Sequence, residues 1–115
     1  MCQPCLNVID TFRKAETLYR QTLAIYKRVW GPEHPGTLAS MRHLAYVYHS
    51  QGRYSEAETL QSQTLEISKR VRGFEHSDTL SSINYLALVY KSQGRYSEAE
   101  ALLSKILENT KRMFG

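Results

Sequence analysis

Apolar side chains recur along this chain at the spacing of one face of an α-helix. Between about residues 37 and 51 the apolar positions are Leu38, Met41, Leu44, Ala45, Val47 and Tyr48. Over about residues 54–72 the inward positions are Ala57, Leu60, Thr64, Leu65, Ile67 and Val71. Both stripes return over about residues 79–93 and 96–114, and no alternating, strand-like stretch lies between them. The pattern therefore predicts an all-α chain.

An internal repeat of 42 residues underlies the two stripes. The heptapeptide GRYSEAE occurs at residues 52–58 and again at 94–100, and 25 of 42 positions are identical between residues 31–72 and 73–114. A half copy precedes them, because residues 12–30 match residues 54–72. Such repeats are typical of solenoids, in which each unit packs only against its neighbours. We therefore predict five helices in antiparallel pairs, stacked side by side as an α-solenoid.

The repeat also divides the chain. Residues 1–9 are expected to be a poorly ordered leader or the remnant of a first helix, since Pro4 opposes a helix there. Residues 10–30 form the second helix of a partial repeat, and whole repeats follow at 31–72 and 73–115. Gly52 and Gly94 should end their helices with positive φ. Thr37 and Thr79, or the polar residues just before them, are the expected N-caps.

The repeat resembles a known family. The residues that carry the resemblance are Leu44-Ala45-x-x-Tyr48 with Gly52-x-Tyr54-x-x-Ala57, and Leu86-Ala87-x-x-Tyr90 with Gly94-x-Tyr96-x-x-Ala99. They resemble the signature of the tetratricopeptide repeat, and the long linker GPEHPGTL is similar to that of kinesin-light-chain repeats. Similar arrays also follow the nucleotide-binding domains of signalling ATPases. The resemblance implies a right-handed superhelix that binds other proteins and catalyses no reaction.

Composition and motifs narrow the function further. The formal charge of +4 is too small and too mixed to indicate nucleic-acid binding, and no apolar run is long enough for a membrane helix. Cys2 and Cys5 lack the further ligands of a zinc site, and His34 and His76 recur as parts of the linker. No nucleophile, phosphate loop or acid–base pair stands in a catalytic pattern. We expect a cytoplasmic protein with no enzymatic activity, no metal and no cofactor.

The candidate binding surface is the face of the first helix of each repeat that is not used for packing. Its residues are Arg42, His43, Tyr46, His49, Asn84, Tyr85, Leu88 and Lys91. The two copies of the repeat differ at these positions, and the set combines aromatic and basic side chains with no acid. It favours an extended peptide with acidic or aromatic side chains, whose backbone Asn84 could bind. The matching asparagines of kinesin light chains hold cargo peptides, and Asn84 alone resembles them here.

A second interpretation is a structural or self-association segment of a larger scaffold, such as the sensor end of a signalling ATPase. The last helix carries Leu103, Ile106 and Leu107 on a face that a following helix would cover. We therefore expect a homodimer, through these exposed repeat ends, at high concentration. The basic positions Lys27, Lys69 and Lys111 form a row that could meet an acidic partner, but no aromatic residues alternate with them as in nucleic-acid sites.

Overall fold

The computed structural model describes residues 8–114, which form a stack of helices. The helices are α1 (Val8–Val29), α2 (Pro35–Ser50), α3 (Tyr54–Arg72), α4 (Ser77–Ser92) and α5 (Tyr96–Phe114). Each helix packs against the next in the chain, and α2 also contacts α4. The described residues contain no strand. The predicted all-α solenoid of five helices is confirmed. The Cys2–Cys5 pair and the expected leader up to residue 7 lie outside the described residues, while α1 begins at Val8, two residues before its predicted start.

Histidines, and not threonines, cap the starts of α2 and α4. His34 and His76 have extended backbone conformations, and their Nδ1 atoms accept hydrogen bonds from the backbone N–H groups of Gly36 and Asp78 at 2.9 and 3.0 Å. Of the two predicted alternatives, the threonine caps are wrong, because Thr37 and Thr79 already lie inside the helices and are buried, and the caps are polar residues that precede them. The threonine hydroxyls instead donate to the carbonyl groups of the glycines that end the preceding helices. The linker role expected for the two histidines is confirmed.

The cap gives a direct test. Alanine in place of His76 should lower the free energy of unfolding by about 0.5–2 kcal/mol, because a backbone N–H at the start of α4 loses its acceptor. Asparagine at the same position should retain most of the stability, since its short side chain can also cap a helix. Urea denaturation of the three proteins measures the difference. Equal midpoints for the alanine variant and the parent would show that the imidazole contributes nothing as a cap.

The ends of α2 and α4 follow the predicted glycine pattern. Gly52 and Gly94 both have φ of +80°, where a side chain would be strained. The N–H of Gly52 donates to the carbonyl of His49, and the N–H of Arg53 donates to that of Tyr48. These two bonds form a Schellman motif, which satisfies carbonyl groups at the end of the helix. Each repeat therefore turns sharply from its first helix into its second.

The core lies along α2 and α4. The predicted apolar face of α2 is buried, and so are its counterparts on α4; the buried apolar residues of the two helices are Leu38, Met41, Leu44, Ala45, Val47, Tyr48, Ile83, Leu86, Ala87 and Val89. Helix α3 contributes less, since Leu65 and Ile67 are only half-buried. Val71, predicted to face inward, is exposed. Helix α3 has 19 residues, whereas α2 and α4 have 16 each, and Val71 lies in its last turn.

The contact between α3 and α4 is unusually polar. Gln61, Thr64 and Ser68 are buried on one face of α3, and Ser82 is buried on α4. The Oε1 atom of Gln61 and the hydroxyls of Ser68 and Ser82 make no hydrogen bond with any described residue. Buried polar atoms without partners cost stability. This contact between the two repeats, which we call the polar seam, therefore stabilises the fold less than its buried area alone suggests.

One pair of equivalent positions makes ring contacts in the first linker and an ion pair in the second. In the first linker Trp30 stacks on His34 at 4.3 Å, and a Cβ atom on Gly36 would lie only 2.5 Å from the indole ring. In the second linker Arg72 and Asp78 occupy the positions of Trp30 and Gly36. Arg72 Nε lies 3.5 Å from Asp78 Oδ2. Trp30 thus fills the space beside Gly36, which has no side chain. In the second linker the charged side chains of Arg72 and Asp78 occupy the equivalent space.

Candidate functional site

The open face shared by α2 and α4 contains a groove of about 310 Å³. We define the groove by its lining residues, which are Tyr19, Arg42, His43, Tyr46, Val47, Ser81 and Tyr85. Four of them were predicted as binding residues: Arg42, His43, Tyr46 and Tyr85. The 42-residue period places them there, because it repeats the same helix face one layer further along the stack. The groove therefore joins both repeats with the half repeat in front of them.

Aromatic rings dominate the groove. Tyr46 and Tyr85 are both exposed, although large apolar side chains are usually covered, and their ring centroids are 6.4 Å apart in an edge-to-face arrangement. Tyr19 packs against the imidazole of His43 at 5.4 Å between centroids. Such rings supply a large contact area and lose few rotamers on binding. The arrangement can hold an aromatic or aliphatic side chain between α2 and α4.

The charge of the site differs from the prediction, because an acid lies beside it. Asp78 Oδ1 is 3.9 Å from Arg42 Nη2, and its second oxygen faces Arg72. Only 15% of the Arg42 side chain is exposed, and its Nη1 atom is buried without a hydrogen bond to a described residue. The predicted absence of acids is wrong, since Asp78 stands in the linker by sequence but in the first turn of α4 in space. The three groups together keep one positive charge.

The remaining predicted residues lie beside the groove. His49 is part of α2, and its Nε2 atom is 2.7 Å from the Ser92 hydroxyl at the end of α4. Burial lowers the pKa of His49 below its ordinary value of 6.5, so the ring is neutral at pH 7. Asn84, Leu88 and Lys91 are exposed on α4 at spacings of four and three residues. These three share one helix face, and we call them the α4 row.

Three groove residues were absent from the predicted set of binding residues: Tyr19, Ser81 and Val47, the last of which was predicted to lie on the apolar face of α2. Tyr19 belongs to α1, the helix of the half repeat, and is half-buried. Ser81 belongs to α4 and precedes Asn84 by three residues, on the same side of the helix. The residue 42 positions after Tyr19 is Gln61, and the residue 42 positions before Ser81 is Ala39. Neither tyrosine nor serine therefore recurs at its position in the other copy. A search for differences between repeat copies on both helices of a repeat, and not only the first, would have found Tyr19.

The described part of the chain contains neither a cluster of metal ligands nor a membrane-spanning helix. Among residues 8–114, no three His, Cys, Asp or Glu side chains approach closely enough to hold a metal ion. None of the described helices is both long and apolar enough to cross a membrane. The groove and the α4 row together are the candidate site.

Solved structures show which proteins this chain is similar to. Two crystal structures of the nearly identical TPR-like repeats of a Podosopora anserina protein, assigned as a kinesin light chain, match with 32% and 30% identity and TM-scores of 0.78 and 0.81. The alignments cover 90% and 91% of this chain and 50% of each solved chain. The BtubC (BKLC) structure from P. vanneervenii has the same fold at 22% identity, with a TM-score of 0.81, and 93% of this chain covers 43% of that one. This chain therefore spans about half the length of these structures or less.

Sequence comparison agrees with the structural match. No curated protein matches the chain significantly. The family model described as the tetratricopeptide repeat matches residues 9–70 and again residues 42–112, and the two matches together span nearly all of α1 to α5. The chain therefore belongs to the tetratricopeptide-repeat family, and its repeats are of the kinesin-light-chain type.

Proposed function

We propose that this chain is a non-catalytic module that binds an extended peptide with acidic and aromatic side chains along the groove and the α4 row. The fold is that of a protein-interaction or scaffold module. The observation that supports a peptide site most strongly is the pair of exposed tyrosines, Tyr46 and Tyr85, on adjacent helices at the mouth of the groove. Exposed aromatic side chains that converge on a concave site are typical of binding surfaces.

The charges favour an acidic peptide. Lys91 is exposed at the end of α4, and Arg42 lines the groove with its guanidinium partly balanced by Asp78. Lys91 makes no ion pair with a described residue, so its ammonium group can attract a carboxylate from solution. Exposed charges of this kind act mainly on the association rate and on specificity. Acidic side chains are therefore expected near Lys91, and aromatic ones between the tyrosines.

Polar side chains next to the rings can hold the peptide backbone. Asn84 is exposed beside Tyr85 on α4, and an amide side chain can both donate to a carbonyl and accept from an N–H group. Such paired bonds fix the direction of an extended chain without reading its sequence. We assign Asn84 to hydrogen bonds with the peptide backbone, and Tyr46 and Tyr85 to contacts with the peptide side chains.

Selection of ligands from a library of random peptides, followed by affinity measurements on variants, tests the proposal. Selected peptides should be rich in Asp, Glu and aromatic residues. Tyr46→Ala should weaken their binding about tenfold or more, because truncating a central aromatic residue commonly costs at least ~1.4 kcal/mol. Lys91→Glu should weaken binding most at low salt, where charges are least screened. Lys91 is the better charge variant, since Arg42→Glu would place a carboxylate beside Asp78 and disturb the fold.

Lys111→Glu is the matched control, since Lys111 is an exposed cation in the last turn of α5, just as Lys91 is in the last turn of α4. It should leave the affinity unchanged if the α4 row is the site. Equal losses at Lys91 and Lys111 would mean that peptides respond to net charge alone. Selected peptides that bind the Tyr46→Ala protein as tightly as the parent would overturn the groove as the site.

A further inference from the structure

A polar cluster joins the half repeat to the first whole repeat. Arg53, in the turn between α2 and α3, donates from Nη1 to Glu16 Oε1 on α1 at 2.8 Å. The same Nη1 atom donates to Gln51 Oε1, and the Gln51 amide donates to Glu16 at 3.2 Å. The guanidinium also pairs with Glu56 at 2.7 Å and lies over the ring of Tyr48, 4.4 Å from its centroid. Arg53 thus ties its own repeat to the preceding one.

The same cluster returns 42 residues later with the same geometry. Arg95 Nη1 donates to Glu58 Oε1 on α3 and to Gln93 Oε1, each at 2.8 Å. Gln93 donates to Glu58 at 3.2 Å, and Arg95 pairs with Glu98 at 2.6 and 2.8 Å. The distance from Arg95 to the centre of the Tyr90 ring is 4.3 Å. We call this repeated cluster the joint. In each joint the glutamine and the arginine of a Gln-Gly-Arg turn donate hydrogen bonds to a glutamate on the preceding helix.

The first joint favours the charged form of Glu16. Burial alone would raise the pKa of Glu16, but the hydrogen bonds from Gln51, Arg20 and Arg53 and the charge of Arg53 outweigh it, so the pKa is lowered. Only 12% of the Glu16 side chain is exposed. Hydrogen bonds between charged partners in such partly covered positions are stronger than those on an open surface. Glu16 is therefore a specific acceptor and more than a solvated surface charge, and Glu58 accepts the equivalent hydrogen bonds in the second joint.

A third glutamate stands at the same register on α5. Glu100 follows Glu16 and Glu58 at successive steps of 42 residues, yet it is exposed, and its side chain makes no ion pair or hydrogen bond with residues 8–114. Leu107 lies on the same helix and is 57% exposed, whereas its counterpart Leu23 on α1 is 8% exposed beneath α2. Leu103 is exposed as well, while Gln61 at its position on α3 is buried. These are the positions that α2 and α4 cover on the helices before them.

We infer that Glu100, Leu103 and Leu107 form a docking surface for a further helix pair of this repeat type, whose interhelical turn carries the sequence Gln-Gly-Arg. Continuity with the two existing interfaces argues for this occupant, because both use the glutamate and the helix positions that Glu100, Leu103 and Leu107 hold on α5. A second folded copy of the chain cannot supply the arginine for Glu100, since its own turn arginines, Arg53 and Arg95, are already held by Glu16 and Glu58. The partner must bring an unengaged arginine.

The test supplies such a helix pair covalently. A copy of residues 74–115 is joined after Gly115 of the full chain, which keeps the period of 42 residues. Glu100→Gln is then introduced into both the parent and the extended protein, with Glu108→Gln, an exposed acid on the same helix, as the control. Thermal unfolding, with the molecular mass checked at each concentration, compares the four variants with their parents.

Glu100→Gln should leave the Tm of the parent within about 1 °C and lower that of the extended protein by about 2–4 °C, and Glu108→Gln should change neither. In the extended protein, glutamine in place of the new copy's counterpart of Arg95 should lower the Tm less when Glu100 is already glutamine than when it is glutamate, because the bond that the two residues share is then already lost. Amide hydrogen exchange in α5 should also slow when the copy is added. Unchanged exchange in α5, which includes the case of a copy that does not fold there, overturns the inference. A Glu100→Gln effect of equal size in both proteins overturns it too, as does a concentration-dependent dimer of the parent that this variant abolishes.

Discussion

Leucine in place of Ala57 is expected to lower the free energy of unfolding by about 1–3 kcal/mol, because the added atoms have no space. Ala57 is completely buried in the first turn of α3 and belongs to the core that Leu38, Leu44 and Tyr48 form on α2. A larger side chain there would push α3 away from α2 and strain the Schellman turn between them. Urea denaturation at constant temperature measures the loss.

Ala101→Leu provides the control for side-chain size, since Ala101 is exposed on α5 and leucine is nearly as good a helix former as alanine. Its stability should stay within about 0.5 kcal/mol of the parent. If Ala57→Leu unfolded at the same urea concentration as Ala101→Leu, the close approach of α2 and α3 would be contradicted.

Leucine in place of Gln61 should have the opposite effect and raise the free energy of unfolding by about 1–3 kcal/mol. Gln61 is only 1% exposed, and its Oε1 atom accepts no hydrogen bond from any described residue. Leucine has a similar volume, removes the unpaired oxygen and adds apolar contact at the seam between the repeats. The measurement is the same denaturation experiment, in which the midpoint should move to higher urea.

The matched control is Gln63→Leu, two residues along α3 on its exposed side. It should leave the stability within about 0.5 kcal/mol of the parent, since its side chain is hydrated in both states. A midpoint that falls in Gln61→Leu would show that the amide is satisfied in solution. The polar seam would then stabilise the stack rather than weaken it.

The fold could be predicted from the sequence because the repeat amplifies weak signals. A single apolar stripe leaves helix pairing open, whereas two copies that are identical at 25 of 42 positions, with Gly52 and Gly94 at the same place in each, define one stacking unit. The helix caps could not be predicted in the same way. Histidine is an uncommon N-cap, and its role became visible only when Nδ1 of His34 was seen to face the N–H of Gly36.

The candidate site could be predicted only in part. Arg42, His43, Tyr46 and Tyr85 follow from the helix face, since position within a repeat determines which side faces outward. Asp78 changes the charge of that face, but its approach to Arg42 depends on how two successive repeats are rotated, which the periodicity does not encode. The joint around Arg53 was hidden for the same reason, although each of its residues belongs to a repeated motif.

Amide chemical shifts of the protein during titration with a selected acidic, aromatic peptide test the central claim most directly. If the peptide binds as proposed, the largest changes fall on the amides of the groove and the α4 row, with Tyr46, Asn84, Tyr85 and Lys91 among them. The amides of Leu103 and Leu107 on α5 should stay unchanged. Shifts confined to α5, or spread evenly over the stack while Tyr46 and Tyr85 stay fixed, would contradict the claim that the groove is the peptide site.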